Sequence, residues 1–166
     1  MPAVVSDSSP FVYLARLQRL DLLRKLYDKI FIPTAVWREV ATEGARNPEG
    51  VQVKAAATEG WIIVEACPNA PVGPDRELSG LGEGEREAIL MALSKKALLI
   101  IDELDGRQVA ARRGVSCTGS LGVLVEAKLR GLLPELRPEL ERLKRETNFR
   151  FTDELFEIAL KQSGER

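Results

Sequence analysis

The sequence predicts an α/β sandwich, a parallel sheet of about five strands flanked by helices, with a helical C-terminal extension. Three observations predict it. Short apolar runs alternate with helical patterns up to residue 133, the order that builds parallel sheets through right-handed crossovers. The run "ALLIID" is apolar up to its last residue, as a strand covered on both faces should be. After Pro134 the pattern becomes helical only.

The elements follow in order. Ala3-Val4-Val5 is the first strand and ends at Ser6-Asp7. In "FVYLARLQRLDLLRKLY", Leu14, Leu17, Leu20, Leu23 and Leu26 recur at near-helical spacing. "KIFIP" is a second strand, stopped by Pro33. Thr34 is placed to cap the helix "AVWREVATEG", which Gly44 ends. A helix runs from about Pro48 to Glu59 and stops at Gly60, and "WIIVEA" is the third strand. Residues 66–80 hold three prolines and read as a loop. "EGEREAILMALSKK" is a helix with Ala88, Ile89, Ala92 and Leu93 on its apolar face, and it leads into the fourth strand, "ALLIID". "ELDGRQVAARRG" is a helix stopped by Gly114. "VSCTG" is the fifth strand and "SLGVLVEAKLRGLL" the next helix. "PELRPELERLKRET" and "TDELFEIALKQSG" are two further helices. The second has an acidic first turn after Thr152, and its Leu155, Phe156, Ile158, Ala159 and Leu160 need a surface to bury. This divides the chain into a domain over residues 1–133 and an extension over 134–166 that packs on it.

Composition narrows the chemistry. The chain has 166 residues, with 24 Lys and Arg against 25 Asp and Glu, a net charge of −1. That balance lacks the basic excess typical of nucleic-acid binders, although a metal can supply the missing charge. Histidine is absent. Ser-His-Asp and Cys-His catalysis, histidine bases and histidine-ligated zinc are therefore excluded. Cys67 and Cys117 stand 50 positions apart with no partner motif. With no signal-peptide pattern, they read as reduced thiols of a cytoplasmic protein. No apolar run reaches the ~20 residues of a membrane span.

Sites in open parallel sheets form beyond the carboxyl ends of the strands. Asp7 stands at the end of the first strand and Asp102 at the end of the fourth, with Asp105 three residues on. Glu85 opens its helix on the same stripe as Ala88, Ile89 and Ala92, so it projects from the buried side. A first-turn carboxylate on the helix dipole is the plain alternative for it, and the one that suits Glu83 better. Glu39 lies between Val36 and Val40, and taken singly reads as a solvent-exposed helical glutamate. Taken together, four carboxylates on one edge repel one another unless a cation joins them. A histidine-free oxygen cluster suits Mg²⁺ or Mn²⁺. Ser8 and Ser9 either cap the helix at Pro10 or bind a phosphate oxygen. Thr118 and Ser120, after the fifth strand, offer the same two roles.

Asp7-Ser8-Ser9 after strand one, Glu39 on the helix after strand two, Glu85 in "EREAILMA" and Asp102 closing strand four form an ordered set. It resembles the PIN-domain ribonucleases, in particular VapC-like toxins of toxin–antitoxin pairs. The resemblance covers about residues 1–133 and extends into the tail. It implies strand order 3-2-1-4-5, bound Mg²⁺ or Mn²⁺, and hydrolysis of RNA. It also implies an antitoxin partner and a homodimer. By position, Asp7, Glu39, Glu85 and Asp102 are the implied catalytic acids. Asp7, Glu85, Asp102 and Asp105 are the metal ligands, and Ser8, Arg107, Thr118 and Ser120 are the substrate contacts. The family often has aspartate where Glu85 stands, and Thr-x-Asp where Ile100-Ile101-Asp102 stands. Arg107, Arg112, Arg113, Lys95 and Lys96 are the nearest cations for a phosphate backbone.

Rival enzymes fit less well. A haloacid-dehalogenase-like site needs an aspartate where Ser9 stands. A receiver domain needs paired acids after strand one and a lysine after strand five. A dinucleotide site needs glycines where Ser-Ser-Pro stands, and "GLGEG" at 80–84 follows a proline-rich loop instead of a strand. The non-enzyme alternative is a PIN-like binding or regulatory module whose acids are a remnant.

Overall fold

A computed structural model describes residues 2–67 and 75–165. The elements are β1 (Val4–Ser6), α1 (Ser8–Arg16), α2 (Asp21–Tyr27), β2 (Ile30–Pro33) and α3 (Thr34–Trp37), which runs on into a π-helical turn at Arg38–Thr42. Then come α4 (Pro48–Thr58), β3 (Ile62–Glu65), α5 (Arg76–Ser79), α6 (Glu83–Lys95), β4 (Leu98–Ile100), α7 (Leu104–Arg112), β5 (Cys117–Thr118), α8 (Ser120–Leu129), α9 (Arg137–Glu146) and α10 (Asp153–Gln162).

The five strands form one sheet in the order β3-β2-β1-β4-β5, parallel throughout. Consecutive strand residues point to opposite faces, and the sequence supplies apolar groups to both. Val4, Ile30, Ile32 and Ile100 face a core shared with Phe11, Leu14, Leu23, Val53, Val123 and Leu124. Val5, Leu99 and Ile101 face a second core with Ala88, Ile89, Met91, Val109 and Ala110. The result is three layers, helix–sheet–helix. From the C-terminal helices, Leu136, Leu140, Leu143, Ala159 and Leu160 join the first core. Arg19, in the turn after α1, meets Glu139 of α9 at 2.6 Å.

Four local expectations are corrected. The leucine-rich stretch is two helices, with Gln18 at φ +57° between them. Leucines three apart drift by about 60° per step around a helix of 3.6 residues per turn. One continuous helix cannot keep five of them on the core, and the break lets Leu14, Leu17, Leu20, Leu23 and Leu26 all stay buried. Thr34 does not cap α3. Pro33 holds the cap position and Thr34 is the first helical residue. The loop read over 66–80 contains the helical turn α5, whose cap Asp75 accepts from the Glu77 and Leu78 N–H groups, and its residues 68–74 lie outside the described residues. On α10, Leu155 and Ile158 are 41% and 43% exposed while Ala159 and Leu160 are buried.

Candidate active site

The parallel topology places the carboxyl ends of β1 and β4 side by side, since Ser6 pairs with Ile100. The Asp7 N–H donates to the Ile100 carbonyl at 2.9 Å. Asp7 therefore leaves the sheet in a fixed position and is 3% exposed. Burial, together with the charges of Glu85, Glu39 and Asp102, pushes its carboxyl up to about 7, against a single N–H from Ser8 favouring the charged form. Three acids from distant segments thus act on Asp7. Glu85 is also raised, first by burial and then by Glu103, Glu39 and Asp105, with the Gly82 N–H opposing. Asp102 is raised by burial and by Glu103, and lowered by Ser120 and Arg107. Among the described residues, none of Asp7, Glu39, Glu85, Asp102, Glu103 and Asp105 stands in an ion pair.

The neighbouring hydroxyls hold these acids. Ser8 Oγ donates to Glu39 Oε2 at 2.5 Å. Glu39 sits in the π-helical turn, where Glu43 N–H reaches back to the Arg38 carbonyl at 2.7 Å. Such turns recur at functional positions. Asp102 accepts from both the N–H and the hydroxyl of Ser120, each at 2.7 Å. Ser120 is fully buried, so it fixes Asp102 and is shielded from a substrate. Thr118 and Arg107 line an open cleft of about 490 Å³ next to Asp102, and Arg107 Nη1 donates to the Ile101 carbonyl at 3.1 Å. Of the other cations named from the sequence, Arg112 and Arg113 are taken by Asp75 and Glu77. Lys95 pairs with Glu65 and covers the Phe31 ring. Lys96 closes α6, just ahead of β4, at the opposite end of the sheet.

Sequence reading missed three contributors. Glu103, the cap residue of α7, adds its charge to Glu85 and Asp102. Gly84 and Gly106 make room for the acids. A Cβ on Gly84 would lie 2.6 Å from Glu39 Oε1, and one on Gly106 would lie 2.9 Å from Glu85 Oε2. The available signal was a glycine beside an acid in the first turn of a helix, in Glu83-Gly84-Glu85 and Asp105-Gly106. Glycine there costs helix stability unless a close approach requires it.

The donor set is entirely oxygen, so it suits a hard divalent cation in kind. Among the described residues no three carboxylates stand close enough to hold one ion as their side chains lie. Mg²⁺ does not require three, because it binds through one or two carboxylates and completes its shell with water or phosphate. Buried Asp7, with three acids acting on it and no cationic partner among the described residues, is the group whose ionisation such an ion would favour.

A family model described as DUF3368: PIN domain matches residues 3–165. Among solved structures, the chain is similar to a PilT N-terminus domain protein from the hyperthermophilic archaeon Sulfolobus solfataricus P2. The two share 23% identity at a TM-score of 0.51, over 76% of this chain and 93% of that one. It is also similar to VapBC2 from Rickettsia felis, a structure bound to a DNA fragment from its promoter, at 12% identity and a TM-score of 0.46, over 70% of this chain and 98% of that one. No curated protein matches.

Proposed function

The chain belongs to the PIN-domain family, and on that premise we propose that it is an Mg²⁺- or Mn²⁺-dependent endoribonuclease, the toxin of a toxin–antitoxin pair. One observation supports the reading. Glu39, Glu85 and Asp102, from three separate segments, are near enough for their charges to raise the buried Asp7 at the end of β1, and among the described residues no cationic side chain forms an ion pair with any of the four.

In this reading Asp7 and Asp102 hold the ion, with Glu85 and Asp105 beside them. When bound, the metal lowers the pKa of an attacking water and stabilises the leaving oxygen of the phosphodiester. The chain's own residues do the positioning. Ser120 fixes both oxygens of Asp102. Ser8 holds Glu39, to which this reading gives the role of orienting a water or taking its proton. Arg107 and Thr118, on the cleft wall, receive the substrate backbone. The partners are RNA, a small antitoxin and a second copy of this chain, in the cytoplasm, and among the described residues no helix is long and apolar enough to cross a membrane. The cleft supports a protein partner, because Leu104, Leu155 and Ile158, three of the large exposed hydrophobic residues, line it. Residues 134–166 are read as an extension of the same domain, and resistance of the folded protein to proteolysis there is the expected result.

The test is cleavage of end-labelled RNA with Mg²⁺ or Mn²⁺, against chelator. Wild type is expected to cut only with metal, and Asp7→Asn to lose at least a hundredfold. An Asp7→Asn variant that cuts at the wild-type rate ends the proposal. A second reading, a binding module without catalysis, is favoured by Asp102, whose two oxygens are already engaged by Ser120. Absence of cleavage by wild type with either metal, together with retained RNA or antitoxin binding, selects it.

A further inference from the structure

Tyr13 and Phe149 meet edge to face, with ring centres 5.2 Å apart and planes at 84°. Tyr13 belongs to α1, six residues after Asp7. Phe149 belongs to the connector between α9 and α10. That connector is held in place by Thr147, whose hydroxyl donates to the Leu143 carbonyl at 2.5 Å and accepts from the Phe149 N–H at 3.1 Å.

Each ring lines a different hollow; one is walled in part by Asp102, and the other by Ser8, which holds Glu39. One, of about 220 Å³, is walled by Tyr13, Ser8, Ser9, Val12, Arg16 and Asn148, and its Ser8 holds Glu39. The other is the 490 Å³ cleft, walled by Phe149, Arg150, Arg107, Thr118 and Asp102 itself. The aromatic pair therefore joins a hollow that contains Asp102 to one that contains Ser8, the partner of Glu39. Both rings remain half-buried. The Tyr13 hydroxyl makes no hydrogen bond among the described residues, and neither does the Arg150 guanidinium make an ion pair. The connector is also anchored along the chain, where Phe149 meets Phe151 at 5.8 Å, Phe151 stacks on Phe156 at 5.9 Å and Arg137 covers Phe156.

We propose that Tyr13 and Phe149 are a base-stacking wedge that seats the two nucleotides flanking the scissile phosphate of a single-stranded RNA, one in each hollow. Exposed aromatic faces beside a backbone path are how proteins grip unpaired bases, whereas a duplex keeps its bases stacked inside. The C-terminal extension then completes the substrate site through Phe149 and Arg150. This inference rests on the ribonuclease reading and adds the two side chains that seat the strand.

The experiment uses the full chain with Mn²⁺ and a single-stranded oligoribonucleotide carrying one cleavage site, in an intact form and a form with abasic spacers at the two flanking positions. Phe149→Leu, which keeps an apolar group against Tyr13, and Phe149→Ala are expected to raise KM for the intact strand by roughly five- to hundredfold, the range spanned by stacking of one base, with kcat changed far less. Tyr13→Ala behaves likewise and Tyr13→Phe restores most of the loss. On the abasic strand the variants and wild type converge. Wild-type cleavage with Phe149→Leu unchanged in KM, or with the same loss on both strands, overturns the wedge and leaves the ribonuclease reading standing. No cleavage by wild type overturns both. Thermal melts of each variant separate loss of binding from loss of fold.

Discussion

Two acidic clusters in this molecule are built on opposite principles. At α5, Asp75 and Glu77 are matched by Arg112 and Arg113. The arginine hydrogen bonds hold both carboxyls below their usual range and raise Arg113 in return. At the ends of β1 and β4 other acids, and among the described residues no cation, act on Asp7. Asp7, Glu85 and Asp102 are all raised, chiefly because burial disfavours their charged forms. A carboxylate paired with arginine on the surface is a structural fastening of modest worth. A buried carboxylate without a cation, as Asp7 is among the described residues, costs stability, and functional sites are where such groups cluster.

The largest way to break this contrast is through Asp7. It ionises near 3.8 in the unfolded chain and at about 7 in the folded one. Between those values the native state keeps a proton that the unfolded state has released. Stability is therefore full below about pH 4 and falls as pH rises to about 7. At roughly 1.4 kcal/mol per unit, the loss has an upper bound of about 4 kcal/mol. In chelator, Asp7→Asn is expected to melt higher than wild type at pH 8 and to flatten the dependence of Tm on pH. Mn²⁺ should raise the wild-type Tm at pH 8 and leave Asp7→Asn unmoved. An unchanged pH profile in the variant would show that Asp7 is not the costly group.

Ser120→Ala is next in size. It strips one of the two bonds to Asp102 in a fully buried position, a loss of about 1–3 kcal/mol by chemical denaturation, with cleavage falling because Asp102 is freed to turn. Gly84→Ala is smaller and splits two readouts. Alanine favours the helix by up to ~1 kcal/mol, but its Cβ displaces the Glu39 carboxylate. Stability should hold or rise while cleavage drops. If cleavage holds as well, Glu39 has no role in it. Arg113→Ala, in the matched cluster, should leave cleavage at the wild-type rate, and a large loss there would erase the distinction between the clusters.

Much of the fold was legible because it rests on local periodicity. The strands at Val4, Ile30, Ile62, Leu98 and Cys117 and the helices at Pro48, Glu83 and Asp153 all follow from apolar spacing and their stops. The strand order came with the family resemblance. The misses have specific causes. Spacing by three mimics a helix over one or two turns, which hid the break at Gln18. Three prolines masked the turn at Arg76–Ser79. Leu155 and Ile158 share a helix with buried neighbours yet face the open cleft. Of the candidate site, Asp7, Glu85 and Asp102 could be placed at one edge from strand ends and a helix stripe. Glu103 carried no signal, since an acid before a helix is ordinary capping chemistry.

The sequence by itself determined the alternation of strands and helices and, through its lack of histidine, that no imidazole can serve as metal ligand or base. Only the tertiary structure decided that Ser120 closes on Asp102, that Glu39 rests against Ser8, and that Phe149 from the tail stands beside Tyr13. The reason is one of range. Periodicity and residue chemistry act along a few turns of chain, whereas these contacts depend on strand register and on how buried faces pack, which join segments far apart in sequence.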